Sequence, residues 1–322
     1  MKSPSLHSLT TFPRTRHIGK PRVVILGCGD VGERLIPLLI PYFQVYAVTS
    51  QEPQSPRFAH LRKLGATPLQ ANLDQPDTLW RVAHLATRFV HLAPPPSQGE
   101  TDARTRRLAA ILPEKAQLVY ISTTGVYGDC QGAYFDETRT VAPINARAKR
   151  RVDAERCLRS WARRGGRLSI LRVPGIYAAD RLPLERLQKA TPALREEDDV
   201  YTNHIHADDL AYVIRLALSR ALPSRIYHAV DDSALKMGEY FDLVANAYGL
   251  PRAPRLSREE LEQKVSPMLL SFMSESRRLD NRRMKVELGA RLQYPDVSTA
   301  LAAFLAERSS KMVETDGLNL AG

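Results

Sequence analysis

A short apolar run, Arg22, Val23, Val24, Ile25 and Leu26, ends at the hexapeptide Gly27, Cys28, Gly29, Asp30, Val31 and Gly32, and helix-compatible residues follow from Val31. Strand, tight turn and helix in that order constrain the fold more than any other feature of the chain. Gly27 suits the tight turn, Gly29 lets backbone approach a diphosphate, and Gly32 lets helix and sheet pack closely. The helix N-terminus offers unpaired N–H groups to the phosphates. A lone G-x-G-x-x-G is a weak signal, but here it stands in the strand-to-helix context that dinucleotide binding requires.

Downstream, predicted strands at residues 44–48, 89–93, 117–122 and 168–173 alternate with helices at 101–112 and 147–164. Their centres are apolar throughout, as in a parallel sheet covered on both faces. The fold class is therefore α/β, a Rossmann-type doubly wound parallel sheet. Residues 21–177 read as the dinucleotide-binding domain. After Pro174 the rhythm changes to a helix and acidic loop at 181–199, an amphipathic helix at 208–222 and a strand at 225–230. Residues 178–308 read as a smaller substrate-binding region that shares elements with the sheet. Residues 1–20 and 309–322 read as loose tails.

The 322 residues, 43% hydrophobic and 25% charged, are those of a globular chain. No run approaches the roughly 20 apolar residues that cross a bilayer. The first 20 residues lack the apolar core of a secretory signal. Three cysteines, with no CxxC pair and no metal-type spacing, fit a reducing compartment, and a cytoplasmic location is expected. The formal charge of +11 gathers at Arg147, Lys149, Arg150 and Arg151 and again at Arg277, Arg278, Arg282, Arg283 and Lys285. Neither cluster is interleaved with aromatics, so both read as solvated helix faces and nucleic acid is not the expected partner.

The acidic residue that reads an NAD ribose normally stands about 20 positions after the turn. Here Thr49, Ser50 and Gln51 come first and Glu52 follows. Small hydroxyls leave room for a 2′-phosphate, with Arg57 or Arg62 to pair it, which leans the cofactor towards NADP over NAD.

From Pro21 to about Glu307 the sequence resembles the extended short-chain dehydrogenase/reductase family, also named the NAD-dependent epimerase/dehydratase family. The likeness rests on the glycine turn, on His91, Leu92 and Ala93, and on the block Ser122, Thr123, Thr124, Gly125, Val126, Tyr127 and Gly128. It continues in Lys149 with Asp153, Ala154 and Glu155, in the stretch from Leu171 to Tyr177, and in that from His204 to Ala211. The resemblance implies a cofactor shell of Gly27, Gly29, Asp30, Val31, Gly32, Thr49, Ser50, Leu92, Ala93, Lys149, Pro174 and Gly175. It places Thr123 at the family's catalytic Ser/Thr, and Lys149 at the lysine that holds the nicotinamide ribose and lowers the pKa of a tyrosine four residues earlier. It also implies a small-molecule substrate and a homodimer.

That tyrosine is absent, for Asn145 stands four residues before Lys149. Asparagine cannot titrate, and three readings stay open: another group supplies the proton (Tyr127, Tyr134, or the pair His204 and His206), the chain is a non-catalytic NAD(P)-binding regulator, or the reaction needs no strong acid or base there. His204 and His206 alternate and so face one way on an extended segment. Their structural alternative is packing, with Asp208 capping the helix that follows. No third His or Cys completes a metal set. Cys28 reads as a small space-filler.

Overall fold

In the computed structural model, residues 19–319 are described. Of the expected N-terminal tail, all but the last two residues lie outside them. The elements run β1 (Arg22–Leu26), α1 (Asp30–Leu39), β2 (Gln44–Thr49), α2 (Pro56–Lys63), β3 (Thr67–Gln70), α3 (Trp80–Ala83), β4 (Arg88–His91), α4 (Ala103–Ile111), β5 (Gln117–Thr123), β6 (Tyr134–Phe135), α5 (Ala146–Ala162), β7 (Arg167–Val173) and β8 (Gly175–Tyr177). The second half contains α6 (Leu184–Gln188), β9 (Ala193–Leu194), β10 (Tyr201–Thr202), β11 (His204–His206), α7 (Ala207–Arg220), β12 (Arg225–His228), β13 (Leu235–Lys236) and α8 (Met237–Tyr248). It closes with β14 (Arg255–Leu256), α9 (Arg258–Glu262), α10 (Pro267–Phe272), β15 (Arg278–Leu279), α11 (Arg282–Leu288) and α12 (Val297–Asn319).

Seven strands form one parallel sheet in the order β3-β2-β1-β4-β5-β7-β12. Strand order reverses at β1 and β4, the switch point where such sheets open a crevice at their carboxyl ends. The period of two in β1 sorts its side chains between two cores. Val23 and Ile25 join Leu35 and Ile36 of α1 and Val213 and Ile214 of α7, whereas Val24 and Leu26 join Leu108 of α4 and Leu158 and Trp161 of α5. A third core packs Tyr177 and Leu194 with Phe241 and Val244 of α8 and Leu301 of α12. The strand β12, from the second half of the chain, completes the edge of the main sheet beside β7.

Two differences from the sequence reading have plain causes. The chain from Val297 is helical through Asn319, taking in most of the stretch expected to be loose, because no proline interrupts it. The helix after β11 is capped by His206, whose Nδ1 accepts from the Asp208 N–H at 3.2 Å, rather than by Asp208, which lies inside the first turn. Among the described residues, no helix is long and apolar enough to cross a membrane.

Candidate functional site

The glycine turn sits at the switch point. Gly27 has φ +76°, and a Cβ there would lie 2.5 Å from the Ala93 backbone. A Cβ on Gly32 would lie 2.8 Å from Cys28 Sγ and 3.3 Å from Leu92. Leu92 and Ala93 both donate to the Leu26 carbonyl, tying the end of β4 to the turn. Gly29 differs: its φ is −96° and nothing lies within 4 Å of a Cβ built on it, so its backbone faces open space. The first turn of α1 carries Asp30 and Glu33, which would repel an anion at the helix N-terminus if left alone. Neither is alone. Arg34 (3.0 Å) and Arg181 (3.2 Å) hold Asp30, and Arg57 and His60 hold Glu33. Burial works to raise Glu33, but hydrogen bonds from Arg57 and His60 outweigh it and keep the carboxyl below the usual range.

Arg57 also donates to the Cys28 carbonyl, which fixes its guanidinium beside the turn, whereas Arg62 lies over the Phe58 ring. At the end of β2, Thr49 Oγ1 accepts from the Gln51 N–H and Ser50 is exposed. Burial raises the Cys28 thiol to about 12, so the helix terminus does not activate it.

Beside this crevice lie two adjoining chambers. One, of about 420 Å³, is lined by Pro94, Pro95, Pro96 and Ser97 after β4, by Thr123, Thr124 and Gly125 at the end of β5, by Asn145, Arg147, Ala148, Arg150 and Arg151 of the α5 start, and by Pro174, Gly175, Glu275 and Arg277. The other, of about 360 Å³, shares Thr124, Pro174, Gly175, Glu275 and Arg277 and adds Tyr177, Arg181, Arg186, Tyr201, His204, Met237, Tyr240 and Phe241. Glu275 bridges them, accepting from Asn145 Nδ2 at 3.1 Å and from Arg277 Nη1 at 2.7 Å. Thr123 Oγ1 accepts from the Gly125 N–H at 3.3 Å, which leaves its own O–H to donate.

The structure separates several residues that the sequence grouped. Asn145 is the N-cap of α5, its Oδ1 accepting from the Ala148 N–H at 2.9 Å. Lys149 does not line the chamber; its Nζ meets Glu100 at 2.6 Å on the exposed side. The α5 positions four residues apart that do face the chamber are Arg147 and Arg151; lower on the helix, Glu155 is buried with Val152, Leu158 and Trp161 and accepts from Arg172 at 2.7 Å and from Ser122 at 2.7 Å. The run Arg147 to Arg151, expected as a solvated face, is therefore largely chamber wall.

Tyr127 is 1% exposed and turned into the core, where its hydroxyl meets His228 Nε2 and Arg172 Nη1, each at 2.6 Å. Burial pushes the phenol up to about 12. Tyr134 is exposed and outside both chambers. His204 lines the second chamber, stacked on Tyr240 at 4.4 Å, and burial pushes it down to about 4. His206 packs against Tyr294 and Phe304 instead. Among the described residues, no group of three or more His, Cys, Asp or Glu side chains could hold a metal. The sequence reading missed Glu275 entirely and took Arg277 for surface charge, since their Ser-rich segment carries no local signal.

Sheet order, glycine turn and strand-end crevice define a Rossmann-fold protein of the extended short-chain dehydrogenase/reductase kind, with the fold of the epimerase/dehydratase proteins. The chain belongs to the family of the RmlD substrate binding domain, whose model matches residues 103–309. It is similar to a functionally unknown conserved protein from Silicibacter pomeroyi (28% identity, 89% of this chain and 99% of that one, TM-score 0.72). It is also similar to a proposed NAD-dependent epimerase/dehydratase from Methylobacillus flagellatus (25%, 90% and 100%, TM-score 0.67). The dTDP-glucose 4,6-dehydratase of Streptomyces venezuelae, solved with NAD bound, shares the fold at 18% identity (88% and 96%, TM-score 0.70). No curated protein matches.

Proposed function

We propose that this chain binds NADP or NAD at the glycine turn and acts as an oxidoreductase or epimerase-like enzyme on a small polar substrate. The observation that carries the reading is the open space over Gly29, between two glycines that cannot bear a Cβ. The first backbone N–H groups of α1, at Asp30, Val31 and Gly32, have no partner within the helix and suit a diphosphate. Thr49 and Ser50 fit the adenosine ribose, and Arg57 beside the turn favours a 2′-phosphate and hence NADP. Leu92, Ala93, Pro174 and Gly175 form the walls that a dinucleotide would follow towards the chambers. When bound, the cofactor supplies hydride exchange.

The chain's own part is to hold the substrate and move a proton. Thr123 donates its hydroxyl to the reacting oxygen. Of the ionisable groups that face the chambers, Glu275 and His204 replace the absent tyrosine as acid and base. The free cysteines fit work in the cytoplasm. The test is a fluorescence titration with NADPH and NADH, followed by cofactor oxidation across a panel of carbonyl compounds and nucleotide sugars. Failure of both dinucleotides to bind at micromolar concentration would end the reading.

One observation favours a second reading, a non-catalytic NAD(P)-binding regulator. The polar side chains that α5 itself turns to the chamber are guanidinium groups, which are poorly suited to serve as acid or base. Cofactor binding with no turnover on the panel, and with affinity kept in Thr123→Ala and Glu275→Gln, would favour the regulator.

A further inference from the structure

The wall of the 420 Å³ chamber carries more positive charge than its own carboxylate balances. Four arginines line it, Arg147, Arg150, Arg151 and Arg277, and one acid, Glu275, which is engaged by Arg277 at 2.7 Å. Arg151 donates to the Ile121 carbonyl at 2.9 Å and to the Tyr120 hydroxyl at 3.1 Å, and Arg150 donates to the Gly99 carbonyl. These are neutral acceptors, so they do not offset the two guanidinium charges. Arg150 is 7% exposed, and its Nε is buried without a partner. A buried N–H of a charged group left unpaired is costly and is ordinarily satisfied by something. The start of α5 adds the positive end of a 17-residue helix. Burial lowers Arg147, and its neighbours Arg150, Arg277 and Arg151 lower it further against the pull of Glu275, as expected where like charges crowd together.

From this juxtaposition we infer that the arginine chamber binds the carboxylate or phosphate of a small organic anion, whose apolar body extends into the adjoining chamber among Tyr177, Tyr201, Tyr240 and Phe241. Guanidinium forks match both oxyanions in geometry. The aromatic chamber, open to the first through Thr124, Pro174 and Gly175, provides flat apolar walls for the remainder. The inference deepens the substrate side of the proposed enzyme and rests on that reading for the word substrate, while anion binding itself stands apart from cofactor binding.

The experiment is calorimetric titration of the full chain with benzoate, phenyl phosphate, inorganic phosphate and the neutral benzamide, without cofactor and then with saturating NADPH. Benzoate or phenyl phosphate binds at least about tenfold more tightly than benzamide. The preferred anion then tells carboxylate from phosphate. Arg147→Gln weakens the anions by about tenfold or more and leaves benzamide alone, Arg147→Lys retains part of the affinity, and Arg163→Gln, which removes the same charge from the far end of α5, has no effect. A thermal melt of each variant verifies that it folds. Equal binding of anions and benzamide, or unchanged anion binding in Arg147→Gln, overturns the inference. So does displacement of the anions by NADPH, which would assign the arginines to the cofactor's own phosphates. If NADPH fails to bind while the anions still do, the cofactor reading falls and the anion site stands.

Discussion

Arg172 Nη1 donates to the Tyr127 hydroxyl at 2.6 Å inside the core, and the same guanidinium holds Glu155 through its Nε and Nη2. His228 closes the network on the far side of the phenol, with its Nδ1 against the Asp280 carbonyl at 2.9 Å. A tyrosine that completes a buried network is a structural group, whatever motif it stands in. Tyr127→Phe leaves Arg172 and His228 each short of a partner and is expected to cost about 1–3 kcal/mol in urea unfolding, with NADPH affinity unchanged. Lost cofactor binding at full stability would return Tyr127 to the site.

Glu155 carries a larger share of the same network. It is buried, and its removal strands the Arg172 charge in the core. Glu155→Ala is expected to cost about 3–5 kcal/mol, read from the denaturation midpoint.

Lys149 is exposed to solvent through its pair with Glu100. Lys149→Ala should therefore change stability by no more than about 1 kcal/mol, the range of exposed ion pairs. NADPH affinity should stay within about twofold. A loss of an order of magnitude in affinity would mean that α5 turns on binding and brings the lysine to the ribose.

Asp231 gives a prediction in pH. Burial raises its carboxyl to about 7, against 3.8 in the unfolded chain, while the Ser233 N–H still reaches Oδ1 at 2.9 Å. A folded-state pKa above the unfolded one means that the group's contribution is full below about pH 4 and is lost as pH rises through 7. Asn keeps the acceptor and removes the charge. Relative to the wild type, Asp231→Asn should gain stability with rising pH, at a slope of about 1.4 kcal/mol per unit between about pH 4 and 7. Urea midpoints at pH 5, 6, 7 and 8 measure it, and a pH-independent difference would show that the carboxyl is not held protonated.

Much of the main sheet was legible because parallel strands covered on both faces appear as uninterrupted apolar runs, as β1, β5 and β7 do. The edge strand β3 was not, since a proline stands in its four residues. The glycine turn was legible because each glycine answers a local steric demand. The chamber wall was not. Helix α5 carries arginine on several faces, and which of them turns inward depends on tertiary packing, including the Glu155–Arg172 pair across the fold. The buried stripe Ala148, Val152, Glu155 and Leu158 was the available clue, placing Arg151 beside the inner face and Lys149 off it. Glu275 reaches the site from a segment 130 residues beyond Asn145, and no spacing rule connects the two.

The glycine turn itself offers a pair of substitutions that separate folding from binding. Gly27→Ala forces a Cβ to 2.5 Å from the Ala93 backbone at φ +76° and should cost at least about 2 kcal/mol of stability. Gly29→Val puts its side chain into open space at an allowed φ, so the fold should survive with a loss of about 1 kcal/mol from the poorer N-cap of α1, while the approach of a diphosphate is blocked. The decisive measurement is NADPH and NADH titration of Gly29→Val against the wild type, followed by cofactor fluorescence with a thermal melt of each protein. Micromolar binding by the wild type and its loss in a fully folded Gly29→Val protein is the predicted result. Equal binding by both, or by neither, would contradict dinucleotide recognition at this turn.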